Sequence, residues 1–120
     1  MNWVRWGSLL MFLGIAMGAF GGHALKQSLS EEMQKVYHIG VFYHIVHALA
    51  LFAVAWLSSI KPMAAGIQQA GWAFVVGIFL FSGSLYALSI TGMRQLGMIT
   101  PLGGLSFLAG WLLLALNAKG

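Results

Sequence analysis

The sequence predicts an all-α integral membrane protein, a single four-helix bundle of antiparallel up-down hairpins. Three observations predict it: long uncharged runs, a scarcity of charge, and polar breaks spaced at membrane-crossing intervals. Of the 120 residues 60% are hydrophobic and only 7% charged, with a mean hydropathy of +0.87, whereas a water-soluble domain carries about a quarter charged residues. Six Lys and Arg with two acidic residues cannot cover a water-exposed surface, so the apolar side chains must face lipid. Residues 1–120 then form one transmembrane domain.

The first span covers approximately 3–24, since about 20 helical residues cross the roughly 30 Å hydrocarbon layer. A cleaved leader is the competing reading, because Arg5 precedes an apolar stretch and Ala19 and Gly21 resemble a processing site. Gly14, Gly18 and Gly22 fall on one helix face, which suits close helix packing and favours a retained span.

Lys26 to Lys35 is the one strongly polar segment, and Ser28 with Glu31 fits a capping box that opens the second helix. That helix can continue to Ser59, longer than the core requires, so its first turns lie in the interface and the span proper is 36–57. Ser58, Ser59, Lys61 and Pro62 then open a short loop through Gln68 and Gln69. Span three is 70–89. Thr91, Gly92, Arg94 and Gly97 make the next connection, and span four is 100–116 with Pro101 in a first turn that tolerates it.

A shift of 63 residues lays LGIAMGAFGGHAL (13–25) over VGIFLFSGSLYAL (76–88), matching Gly14, Ile15, Ala24 and Leu25, and also pairs Gly40 with Gly103. This raises a duplicated hairpin, in which His23 corresponds to Tyr86. Four spans put Arg5, Lys61 and Lys119 on one side and Lys26, Lys35 and Arg94 on the other. The basic residues alone therefore do not orient the chain.

Composition also narrows function. The net charge of +4 comes from isolated cations between apolar runs; without a basic patch, anionic lipid headgroups are the expected partners and nucleic acid is not. The absence of cysteine removes thiol chemistry. There is no embedded Asp or Glu, no Ser-His-acid set and no phosphate-binding loop, so catalysis is not expected.

Polar side chains nevertheless sit inside the spans: His23, Tyr43, His44, His47, Ser82, Ser84, Tyr86 and Thr100. Chain direction places them all between the midplane and the side bearing Arg94, in one layer. Intramembrane histidine faces a bundle interior or a wet cavity, which makes His47 the strongest single candidate. Tyr43, His44 and His47 share approximately one helical face, opposite Ser82, Tyr86 and Ser89, so a seam between spans two and three is expected. The structural reading is a set of interhelical hydrogen bonds; the functional one is a pocket for a lipid, quinone or small solute, or a transport path. Two His at i and i+3 without a nearby carboxylate or thiolate make an incomplete ligand set, so neither metal nor cofactor is expected. For helix packing, Gly14, Gly18, Gly22, Gly77, Gly103 and Gly110 are the candidates, within the bundle or in a homo-oligomer. The five Trp read mostly as interfacial anchors.

Four stretches in order, GAFGGHAL (18–25), HALAL (47–51), FSGSLY (81–86) and ITPLGG with AGW (99–104, 109–111), resemble the YgdD/YwdK-like bacterial membrane proteins, domain-of-unknown-function family 423, related to the eukaryotic transmembrane protein 256. The resemblance implies a four-helix protein of the bacterial inner (plasma) membrane with both termini cytoplasmic and no assigned reaction, substrate or cofactor. His23, His47, Ser82, Ser84, Tyr86, Thr100 and Pro101 fall within the resembling motifs. His44 stands where the family commonly has Gln, so a His44–His47 metal pair is not a family feature. The expectation is a noncatalytic structural or membrane-stabilising factor, with membrane lipids and other membrane proteins as partners; the alternative is a binder or transporter using the polar layer.

Overall fold

In the computed structural model, residues 2–118 are described, and they form four long helices. Lys119, counted above for orientation, lies outside the described residues. Helix α1 spans Trp3–His23, α2 Glu31–Ile60, α3 Ala65–Thr91 and α4 Thr100–Asn117. Each, α4 taken together with the 3-10 turn Arg94–Met98 before it, is long and apolar enough to cross a membrane.

Local chemistry sets the boundaries. Asn2 caps α1 by accepting from the Arg5 amide, satisfying a donor that a helix start leaves free. The cap of α2 is Ser30, whose hydroxyl accepts from the Met33 amide, and not Ser28. Ser28 is held instead in a turn, its amide donating to the Leu25 carbonyl. Gln34 fastens that turn to α2 by donating to the Lys26 and Leu29 carbonyls. As the sequence suggests, α2 outruns a simple span, with 30 residues. Helix α3 starts five residues earlier than expected, so Gln68 and Gln69 are helical and not part of the loop. It ends at Gly92, which takes the left-handed conformation at φ 73° that only glycine adopts without strain. Pro101 occupies the first turn of α4. One feature went unforeseen: Ile78–Ser82 is a π-helical turn inside α3, with no proline to announce it.

Consecutive helices are antiparallel neighbours, and α2 and α3 form the centre with α1 and α4 on their flanks. The extents of 49 × 25 × 18 Å describe a flattened bundle. Accordingly, apolar residues such as Phe12, Ile15, Leu105 and Leu108 lie exposed on the outer helices, as a lipid-facing surface requires.

Glycine decides how closely the helices approach. On α1, Gly7, Gly14 and Gly18 face Ala48, His44 and Val41 of α2, and Gly21 receives the Tyr37 ring. Gly22 faces open space, so the packing stripe is Gly7, Gly14, Gly18, Gly21, rotated from the expected Gly14, Gly18, Gly22. Between α3 and α4 the pattern is phenylalanine into glycine. Phe107 fills the space at Gly77, Phe74 that at Gly110, and the Phe81 backbone that at Gly103.

The 63-residue correspondence reappears in these contacts. Gly14 meets His44 just as Gly77 meets Phe107, and Gly21 meets Tyr37 where Ser84 meets Thr100. The two hairpins therefore pack in the same register. Side-chain chemistry does not follow: His23 is exposed and Tyr86 is bonded to His44.

Candidate functional site: the intramembrane polar layer

Helix α2 carries the centre of the layer, and its residues divide between two neighbours. His44 is buried toward α1 and α3. Its Nε2 lies 2.8 Å from the Leu10 carbonyl oxygen, and its Nδ1 lies 2.8 Å from the Tyr86 hydroxyl. A carbonyl can only accept, so Nε2 carries the proton; in the neutral ring Nδ1 then accepts from the Tyr86 hydroxyl. Both nitrogens of His44 are thus engaged.

His47 is buried toward α4. Its Nδ1 is 2.7 Å from the Tyr43 carbonyl oxygen, and the Trp111 indole N–H donates to its Nε2 across 3.0 Å. The same reasoning gives the opposite tautomer, with the proton on Nδ1 and the Nε2 lone pair taken by Trp111. Phe107 stacks on the ring with centroids 3.6 Å apart. A metal or an added proton at Nε2 would have to displace the Trp111 N–H. Among the described residues no group of three or more metal-ligating side chains occurs.

The rest of the layer also bonds helix to helix. Ser82 donates to the Gly40 carbonyl of α2. Ser84 and Thr100 share a hydrogen bond of 2.6 Å between α3 and α4. Tyr37 donates to the Met17 carbonyl of α1, and Ser106 to the Ala73 carbonyl of α3. A carbonyl already used within its helix has a second lone pair, so these bonds join helices without breaking either one. Among the described residues no buried side-chain nitrogen or oxygen lacks a partner.

Several expectations are corrected here. The seam between spans two and three exists, but its histidine is His44; His47 serves α4 and does not pair with Tyr86. Residues 44 and 47 differ by about 60° around the helix, enough to aim them at different neighbours. Ser89 bonds within its own helix. His23 is exposed at the end of α1 and outside the layer. Tyr43 borders the layer at 39% exposure, its ring 4.8 Å from that of Phe81.

Sequence reasoning missed several contributors. Trp111 is a hydrogen-bond donor to the layer, not simply an anchor. Trp3 is fully buried, its indole N–H donating to Gln68 Oε1, and Gln68 Nε2 donates to Ser58; three helices are thereby tied at the opposite end of the bundle. Tyr37 and Ser106 could have been found, being polar groups at helical spacing from the glycines they accompany. Beside the layer, α2 and α4 leave a groove of about 560 Å³ over Phe81, bordered by Tyr43, His47, Gly104, Leu108 and Trp111.

Comparison with known proteins identifies relatives that are named as membrane proteins. A family model described as a protein of unknown function (DUF423) matches residues 17–104. The UPF0382 membrane protein YwdK of Bacillus subtilis is 43% identical over 112 residues, covering 93% of this chain and 91% of the relative. A UPF0382 membrane protein of Haemophilus influenzae is 38% identical over 104 residues, covering 87% and 82%. The UPF0382 inner membrane protein YgdD of Escherichia coli is 34% identical over 107 residues, covering 89% and 81%. No solved structure matches the chain. The family match over residues 17–104, together with relatives of this identity over most of both chains, establishes that the chain belongs to the DUF423 family of membrane proteins.

Proposed function

We propose that this chain is a noncatalytic, multi-pass protein of the bacterial inner (plasma) membrane, a structural or stabilising factor whose polar layer locks its helices together. The observation that carries this reading is the closure of both buried histidines. Each ring nitrogen of His44 and His47 already has a hydrogen-bond partner, leaving neither lone pair nor proton for a substrate. A catalytic or proton-carrying histidine needs an open valence facing the reacting group. Support for the membrane assignment comes from the four apolar spans and from the name of the Escherichia coli relative. Both termini are cytoplasmic in this proposal, by the family resemblance.

The deciding experiment compares wild type and His47→Ala in mild detergent, by thermal unfolding and by native mass spectrometry. A lowered thermal midpoint is the expected result. An unchanged midpoint accompanied by loss of a retained molecule would overturn the reading. Orientation is tested separately, because the chain has no cysteine. Single cysteines at Gln27 and Met63, both exposed in connecting segments, should label from outside and inside the cell respectively.

A further inference from the structure

We propose that the groove between α2 and α4, with the α2 surface that continues it past Tyr43, seats one anionic phospholipid, its phosphate at Lys35 and His38 and an acyl chain running inward to Trp111. This goes beyond the structural role, which needs no ligand. Two adjoining concavities carry the argument. The deeper one, already described, is almost wholly apolar, with Phe81 as its floor. A second, of about 480 Å³, continues along α2 past Phe42 and Ile39 to Lys35 and His38, and Tyr43 belongs to both.

Chemistry changes along this path as it does along a lipid. At the surface end stand a cation and an imidazole; below them every bordering group except Tyr43 and the sealed His47 is apolar. Lys35 to His47 is 12 residues, about 18 Å of helix, close to the roughly 15 Å depth of one leaflet's hydrocarbon. A groove of one-leaflet depth with a basic mouth fits a lipid of that leaflet. A cation at the membrane surface attracts anionic headgroups.

The nearby charges sort consistently. Glu32 and Arg94 border a different concavity, toward α3, leaving Lys35 as the basic residue of this mouth. Glu31, one turn before Lys35 on α2, is the other carboxylate of this helix. Deeper down, Gly104 borders the groove, and a Cβ there would meet nothing closer than the Phe81 ring at 3.9 Å. A larger residue at 104 therefore fills the groove without disturbing the helix contacts that Gly103 maintains.

The test is native mass spectrometry of the full chain released from nanodiscs of equimolar phosphatidylglycerol and phosphatidylethanolamine. Wild type should retain a single phosphatidylglycerol in at least fivefold excess over phosphatidylethanolamine. Lys35→Ala should remove the excess, and Gly104→Leu should reduce total retained lipid severalfold with a thermal midpoint no lower than wild type. Lys61→Ala, at the opposite surface, should leave both unchanged. Equal retention of the two lipids by wild type would overturn the proposal, as would equal effects of Lys35→Ala and Lys61→Ala, or full lipid retention by Gly104→Leu.

Discussion

The two hairpins share a register but are held by different chemistry. In the first, α2 presses tyrosine and histidine against the glycine face of α1, and Tyr37 and His44 then donate to the α1 carbonyls of Met17 and Leu10. In the second, Phe74, Phe81 and Phe107 occupy the glycine gaps, with Ser84–Thr100 and Ser106–Ala73 as the polar ties. Glycine supplies close approach in both, while the residue facing it decides whether the interface rests on hydrogen bonds or on ring packing. In lipid, burial between helices gains little from the hydrophobic effect, so packing and hydrogen bonds must supply the association.

This contrast makes unequal demands on substitutions, and thermal or denaturant unfolding in detergent measures each. Phe107→Ala should be the most damaging, at about 3–5 kcal/mol, because it empties the space at Gly77 and unstacks His47 together. Gly103→Val should follow, at about 1–3 kcal/mol, since its side chain meets the Phe81 backbone, which cannot turn aside. His44→Leu should cost roughly 1–2 kcal/mol, the scale of stronger interhelical hydrogen bonds in membranes. If His44→Leu proved worse than Phe107→Ala, hydrogen bonding and not ring packing would be the stronger tie in this bundle.

A smaller effect sharpens the rotation of the α1 stripe. Gly22→Ala should be neutral or stabilising by up to about 1 kcal/mol, since it restrains a helical glycine in open space, whereas Gly21→Ala should destabilise by collision with Tyr37. The same outcome for both would mean that the stripe is placed wrongly. Independently of stability, ¹⁵N NMR of imidazole-labelled protein should report His44 protonated on Nε2 and His47 on Nδ1. Trp111→Phe should then alter the Nε2 signal of His47 while leaving that of His44 in place.

Much of the bundle is readable from residue order because the bilayer is a strict selector. Uncharged runs of span length have few alternatives to a helix, and Gly92 and Pro101 mark the third connection plainly. Span three was placed too short since Gln68 and Gln69 look like loop residues; their polarity is absorbed at the bundle's end, where Gln68 bridges Trp3 and Ser58. The eight candidate polar residues include the true centre, His44, His47, Ser82, Ser84, Tyr86 and Thr100. Their partners were less legible, because a carbonyl acceptor such as that of Leu10 or Gly40 has no signature in side-chain identity.

The sequence by itself determined four membrane-spanning helices and their alternating direction. These follow from length, hydropathy and chain connectivity, which are local properties. Only the tertiary structure decided that His44 and His47 serve different neighbours, that Gly21 and not Gly22 meets α2, and that the flanking helices leave a groove beside the layer. Each depends on helix rotation of a few tens of degrees, and rotation is fixed by how whole surfaces fit rather than by any one residue.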